Sequence, residues 1–251
     1  MLTTRIIPKL EVKNENLIKG IHLEGLRIVG KPEKAALRYA NDGADELIFI
    51  DLVASLYQRQ NWINIVRRTA EKIFIPLTVG GGIRSVEDAK TFMRAGADKV
   101  AINTGIIKQP KLVTAIAKKF GSQAMVASLE VQKKIDGNYE VYCDSGRTPT
   151  GKEPITWAKK VAGLGAGEIL LTFIHQDGTY QGYDLELLEQ MAKQIKIPII
   201  ASGGAGEIDN MIKAVQSGAD GLAIASLLHF KKSTVKQIKH KLHQKGVNIR
   251  V

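Results

Sequence analysis

Two glutamates stand where acid–base chemistry could be done. Glu11 falls at the end of an apolar run at residues 5–12, and Glu130 closes another at 124–130. Two carboxyls across one cavity can divide into a general acid and a general base if their surroundings separate their proton affinities. The plainer reading is a pair of rim glutamates bonded to Lys9, Lys13 or Lys19, which are close in sequence. Glycine turns offer a second chemistry. Gly80-Gly81-Gly82 follows the apolar run at 75–79, and Ser202-Gly203-Gly204 follows the one at 197–201. Glycine lets backbone N–H groups come close to an anion, and a helix start just downstream adds its positive end. Asn103-Thr104-Gly105 and Ala225-Ser226 follow two further runs. Each glycine turn alone reads equally well as a tight bend. As a symmetric pair they point to two phosphate cradles, and so to a ligand with a phosphate at each end. Asp51, Thr78, Thr172 and Asp177 end or follow other runs and could contact a substrate or make ordinary rim hydrogen bonds. Lys19 lies in the segment 14–20, a loop that could close over the substrate.

The elements that must position these residues come in two copies. Gly43-Ala44-Asp45-Glu46 returns as Gly165-Ala166-Gly167-Glu168, Pro76 as Pro198, and Ala95-Gly96-Ala97-Asp98 as Ser217-Gly218-Ala219-Asp220, at a constant spacing of 122. A repeat of this length fixes architecture. Strands are expected at 5–12, 46–52, 75–79, 98–102, 124–130, 168–174, 197–201 and 220–225, rich in Ile, Val and Leu and suited to burial on both faces. Helices are expected at 31–42, 59–73, 85–95, 110–119, 153–164, 184–195, 206–217 and 232–245. Pro32 suits a helix start, Ser85 with Asp88 has capping-box spacing, and Gly43, Gly96, Gly121, Gly165 and Gly218 stand where helices should end. Eight strand–helix pairs predict a (β/α)8 TIM barrel, one domain over 1–251 made of two fused half-barrels of about 1–122 and 123–251. A doubly wound open sheet is the runner-up. In such a barrel chemistry belongs at the C-terminal ends of the strands.

At the opposite end the expected strands begin with charge. Arg5, Glu46, Lys99 and Glu168 open the first, second, fourth and sixth. Barrel geometry places them in a ring of alternating sign, either a plug of salt bridges or a gate.

Composition excludes several classes. One cysteine, Cys143, allows no internal disulfide. Met1–Arg5 lacks the design of a signal peptide, and no apolar run approaches the roughly 20 residues of a membrane span. A cytoplasmic protein without membrane contact is expected. The net charge of +11 raises the possibility of nucleic acid. Much of the excess lies in Lys231, Lys232, Lys236, Lys239, Lys241 and Lys245, read as the solvated face of an amphipathic last helix. No aromatic residues alternate with these lysines, so no nucleic-acid partner is expected. His22, His175, His229, His240 and His243 show no metal-ligand spacing, and neither metal nor cofactor is expected.

Several segments resemble a known family. Ile6-Ile7-Pro8, Lys19-Gly20, Gly43-Ala44-Asp45-Glu46-Leu47, Phe74 through Arg84, Ala95 through Val100, Phe120-Gly121-Ser122-Gln123, Gly165 through Thr172, Asp177-Gly178-Thr179 and Ala201 through Gly206 resemble the cyclase subunit of imidazole glycerol phosphate synthase along essentially the whole chain. The resemblance implies a histidine-pathway enzyme. A glutaminase subunit would dock at the barrel bottom and release ammonia. The ammonia would pass through the barrel and convert a phosphoribulosyl aminoimidazole carboxamide bisphosphate into imidazole glycerol phosphate and aminoimidazole carboxamide ribonucleotide. It also implies catalysis by Glu11 and Glu130, a gate of Arg5, Glu46, Lys99 and Glu168, and a docking role for Asp98. Gly178 joins Gly81, Gly82, Asn103, Thr104, Gly203, Gly204, Ala225 and Ser226 as the implied phosphate ligands.

The chain departs from the family pattern at the working face. Glu11 and Glu130 replace aspartates, Lys9 replaces a cysteine, Ser145-Gly146-Arg147 replaces Gly-Gly-Arg, and His175-Gln176-Asp177-Gly178 replaces Asp-x-Asp-Gly. One added methylene moves a carboxylate by about 1.5 Å, and misplacement of about 1 Å can cost on the order of 100-fold in rate. The gate and phosphate turns are unchanged. That contrast supports an alternative, a paralogue that channels ammonia to a sugar-amidating enzyme of surface polysaccharide synthesis. The sister isomerase of the pathway, which lacks the complete gate, is a third and lesser reading.

Overall fold

The computed structural model describes residues 3–53 and 59–250; Met1 and Leu2, part of the stretch without signal-peptide design, lie outside them. Eight strands form the barrel: β1 (Arg5–Lys13), β2 (Leu47–Asp51), β3 (Leu77–Gly80), β4 (Lys99–Ile102), β5 (Met125–Lys133), β6 (Glu168–Phe173), β7 (Ile199–Ser202) and β8 (Gly221–Ile224). Each pairs in parallel with the next, and β8 returns to β1, so no edge is left open. The expected β3 and β7 began two residues too early. Pro76 and Pro198 have no N–H to give a ladder, and pairing starts after them.

Strand side chains alternate between two cores. Ile7, Ile48, Ala101, Val126, Leu170, Ile200 and Ala223 fill the barrel interior. Ile6, Leu10, Phe49, Val79, Val100, Leu129 and Leu171 face outward onto the helices. Burial on both sides explains the unbroken apolar runs.

The helices are α1 (Pro32–Asn41), α2 (Arg59–Ala70), α3 (Val86–Arg94), α4 (Lys111–Phe120), α5 (Pro154–Gly163), α6 (Leu185–Ala192), α7 (Ile208–Gln216) and α8 (Val235–Gln244). Pro32 opens α1, and Ser85 with Asp88 forms a reciprocal capping box on α3. Gly43, Gly96, Gly121, Gly165 and Gly218 all take positive φ just past helix ends. No helix among the described residues is long and apolar enough to cross a membrane.

One lysine of the expected basic face is not on it. Lys239 is buried and donates to Gly43 O and to Asp45 Oδ1, both at 2.7 Å. Helical spacing puts it beside Val235, Ile238 and Leu242, against the barrel. Asp45 also accepts the Ile6 N–H, as Asp98 accepts that of Leu77 and Asp220 that of Ile199. These carboxylates tie the bottoms of neighbouring strands together.

Two antiparallel hairpins rise from the mouth. The segment expected as a loop at 14–20 is instead strand Asn16–Ile21, paired with β1 and with Glu24–Gly30. β5 runs on into a second hairpin with Tyr139–Cys143 and Thr148–Lys152. Their turns hold non-glycine residues at positive φ, among them His22, Leu23, Asp144 and Ser145, beside glycines such as Gly137 and Gly146, so glycine marks them only in part. Two short helices, Thr104–Lys108 and Ser226–His229, stand 122 residues apart after β4 and β8.

Candidate active site

Three levels succeed one another along the barrel axis. At the N-terminal end Arg5 donates to Glu46 at 2.7 Å and also to Glu168. Lys99 closes the ring, 2.9 Å from Glu46 and 3.1 Å from Glu168. The four residues expected as a ring thus form one, with the signs alternating. Burial disfavours the charge on Arg5, but the two glutamates more than compensate and raise its pKa above the usual guanidinium value. Burial likewise works against charge on Glu46, yet Arg5 and Lys99 hold its pKa below the carboxylate range. Asp98 lies beside the ring, engaged with Leu77.

Above the ring is the apolar interior layer of Ile7, Ile48, Leu170, Ile200 and their neighbours. Thr78 belongs at this level. Expected at the end of its strand, it is the second residue of β3 and registers with Ile48 and Lys99. It is fully buried, its hydroxyl has no partner among the described residues, and its repeat counterpart is Ile200. The late start of β3 after Pro76 accounts for the difference.

The third level holds the carboxyls. Glu11 is fully buried, with Lys19 Nζ 2.8 Å from one oxygen and Lys9 Nζ 3.2 Å from the other. Burial alone would raise its proton affinity, but Lys19 and then Lys9 outweigh it, and the group is held well below the carboxylate range. Glu130 is bonded differently. It accepts the Gly146 N–H at 2.7 Å and has no ion pair among the described residues. Burial pushes its pKa up to about 7, opposed by Lys9 and the Gly146 N–H and supported by Glu11 and Asp144. The environments of the two acids are therefore split as a general acid–base pair requires.

Lys19 also bonds Asp177 at 2.6 Å, and Asp177 O accepts the His22 N–H. The first hairpin is thereby seated on the segment after β6. Thr172 registers with both Glu130 and Ser202, which puts it at the mouth.

A cavity of about 570 Å³ opens beside Glu130. Asp51, Gly81, Gly82, Asn103 and Thr104 line it, with Arg84, Lys108 and Arg147 as cations. Gly81 is held at φ +103, and a Cβ there would lie 2.5 Å from Asp51 O. Only glycine permits that approach. Asn103 donates to Tyr142 O, and the Thr104 hydroxyl accepts the Asp144 N–H. The second hairpin is thus fastened to the first cradle. Lys108 escaped the sequence reading; its position at the end of the five-residue helix Thr104–Lys108 was the available signal.

Gly178 and Ser226 line a second cavity of about 460 Å³ with Lys19, His22, Arg27, Tyr180 and Phe230. Gly203, Gly204 and Ala225 line neither of these two cavities. Gly203 repeats Gly81 closely: a Cβ on it would lie 2.6 Å from Phe173 O, and Phe173 is the repeat counterpart of Asp51.

His229, at the end of its short helix, is buried and kept neutral. Burial drops its pKa to about 4. Its Nε2–H donates to Lys9 O at 3.0 Å, and Nδ1 accepts from the Tyr39 hydroxyl at 2.7 Å. Sequence patterns gave no sign of this clamp, because Tyr39 and His229 are 190 residues apart.

The chain matches the family described as "Histidine biosynthesis protein" over residues 5–234. It is 54% identical to "Imidazole glycerol phosphate synthase subunit HisF" of Legionella pneumophila over 209 residues, covering 83% of this chain and 99% of that protein. It is 44% identical to the protein of the same name from Alkaliphilus metalliredigens, with both chains fully covered. It is also 44% identical to that of Endomicrobium trichonymphae, covering 100% of this chain and 96% of the relative. Similarity of this extent, on a closed barrel with a charged ring at one end and paired carboxyls at the other, makes the chain a member of the HisF family of imidazole glycerol phosphate synthase subunits.

Proposed function

We propose that this chain is the cyclase subunit of imidazole glycerol phosphate synthase. It takes ammonia from a glutaminase subunit docked at the N-terminal face, near Asp98. At the mouth it converts the phosphoribulosyl aminoimidazole carboxamide bisphosphate into imidazole glycerol phosphate and aminoimidazole carboxamide ribonucleotide. The two half-barrels, about 1–122 and 123–251, act as one body with one phosphate cradle each. Gly81, Gly82, Asn103 and Thr104 serve one phosphate; Gly178, Gly203, Gly204, Ala225 and Ser226 serve the other. Asp51, Thr172, Asp177 and Lys19 hold the arm between them, and Thr78 faces the passage.

The observation that carries this reading is the unequal carboxyl pair on the barrel axis. Adding ammonia to a carbonyl carbon moves protons off nitrogen and onto oxygen, and expelling an amine requires a proton on the leaving nitrogen. A carboxyl that titrates near pH 7, as Glu130 does, can make both transfers. A permanent anion, as Glu11 is, stabilises cationic nitrogen as it forms. The apolar layer beneath passes neutral ammonia more readily than ammonium, whose desolvation is costly.

The test is turnover of the bisphosphate by the isolated subunit with excess ammonium at alkaline pH. Substrate loss that E11Q or E130Q abolishes supports the proposal; a folded protein with no turnover refutes it. A second reading, the ammonia-delivering paralogue of sugar amidation, is favoured by one observation: Glu11 is engaged by two lysines, one of them Lys9. Absence of turnover, with ammonia still crossing the barrel to another acceptor, would establish it.

A further inference from the structure

Lys9 belongs to the barrel interior, between Ile7 and Glu11 on the inward side of β1, and it is buried. A buried ammonium needs a partner. Lys9 has Glu11, at 3.2 Å. Its backbone is pinned as well, because the neutral His229 ring donates to Lys9 O and is itself held by Tyr39. Lys19, the other cation on Glu11, is held less exclusively. It rides on a hairpin and is shared with Asp177. Lys9 is therefore a cation of the mouth anchored independently of the hairpin.

Its charge acts on both acids. Glu11 is faced by Lys9 from its own strand, by Lys19 from the hairpin, by His229 from the short helix after β8 and by Glu130 from β5; Asp177 reaches it through Lys19. Glu130 is faced by Lys9 and Glu11 from β1, and by Asp144 and the Gly146 N–H from the turn between Tyr139–Cys143 and Thr148–Lys152. Arg84, Lys108, Arg147 and Asp51 stand around the same cavity. Among the described residues, Glu11 thus has two ammonium contacts, whereas Glu130 has a single backbone donor.

We propose that Lys9 is a positioning residue. Together with Lys19, its anchored ammonium keeps Glu11 the permanent anion and leaves Glu130 as the carboxyl that takes and gives the proton. This rests on the acid–base reading above. Without Lys9, Glu11 and Asp177 would share one ammonium, and Glu130 would hold its proton more tightly.

The experiment titrates the side-chain carboxyls of wild type, K9M and K9R by 13C NMR, with the Glu130 signal assigned by its loss in E130Q. In K9M the Glu130 midpoint is expected to rise by about one pH unit or more. K9R should restore it to within a few tenths of a unit. In the ammonium-dependent assay the acid limb of kcat should move with the midpoint, while KM changes less than about threefold. A Glu130 midpoint in folded K9M within a few tenths of wild type overturns the proposal. If K9M gives no cooperative melt, K9Q, whose amide can still donate to Glu11, carries the same comparison. The midpoint is read on the protein alone. A chain without turnover but with a Lys9-dependent midpoint would therefore refute the cyclase reading and keep this one.

Discussion

Replacing Lys19 with methionine tests whether the first hairpin is held to the mouth by charge. Lys19 Nζ bonds Glu11 at 2.8 Å and Asp177 at 2.6 Å, and all three side chains are buried. In K19M, Glu11 keeps Lys9. Asp177 loses its cation. A carboxylate stranded in a buried site costs about 3–5 kcal/mol. One escape that needs no proton uptake is to lift the hairpin and hydrate Asp177. That breaks the His22 N–H bond to Asp177 O and exposes Leu23, which now packs near Gly146 and Ile174. Exposing a leucine costs about 1.5–3 kcal/mol. Stability should therefore fall by about 1.5–5 kcal/mol, or about 3–20 °C in Tm at roughly 2–4 °C per kcal/mol for a chain of this size. The smaller loss belongs to the lifted hairpin. Urea melts at pH 7 measure the loss, and limited proteolysis within 16–30 distinguishes the two routes. The double variant K19M/D177N should recover at least half of the loss, because it removes the stranded charge. A K19M protein as stable as wild type, or a double variant that recovers nothing, would refute the electrostatic account.

Other outcomes follow from the same structure. Gly81→Ala places a Cβ 2.5 Å from Asp51 O at φ +103, and should weaken binding of the bisphosphate at least about tenfold by isothermal calorimetry. Gly43→Ala, which meets nothing within 4 Å, should leave that binding unchanged. His229 has a folded pKa of about 4 against an unfolded value of about 6.5, so the unfolded chain binds the proton more tightly. Its contribution is complete above pH 6.5 and fades as pH falls towards 4, by about 3 kcal/mol in all; His229→Gln should flatten the stability profile in that window. Lys239→Ala should cost about 2–4 kcal/mol, since it leaves Asp45 without its ammonium. Lys241→Ala, two residues along on the exposed face, should stay within about 0.5 kcal/mol, and comparative urea melts check the pair.

The sequence by itself determined the architecture and the placement of most chemistry-bearing residues. A spacing of 122 between like motifs, eight apolar runs and well-marked helix ends leave few alternatives to a closed barrel. Once the barrel closes, strand periodicity sends Arg5, Lys9 and Glu11 inward and brings Glu46, Lys99 and Glu168 to the level of Arg5. The charged ring was legible for that reason. Tertiary structure decided everything that depends on contact between segments remote in sequence. Glu11 and Glu130 are the same residue type at similar strand positions, yet Lys9 and Lys19 hold one ionised while burial and a single N–H leave the other near neutral. Lys239 looked like a surface lysine until α8 packed onto the barrel beside Asp45. Thr78 dropped from the mouth to the apolar layer because a proline delayed its strand. The hairpins that cover the mouth turn through His22, Leu23, Asp144 and Ser145 at positive φ. Pattern and propensity are local quantities; electrostatic environment and such strained turns are set by what the rest of the fold brings alongside.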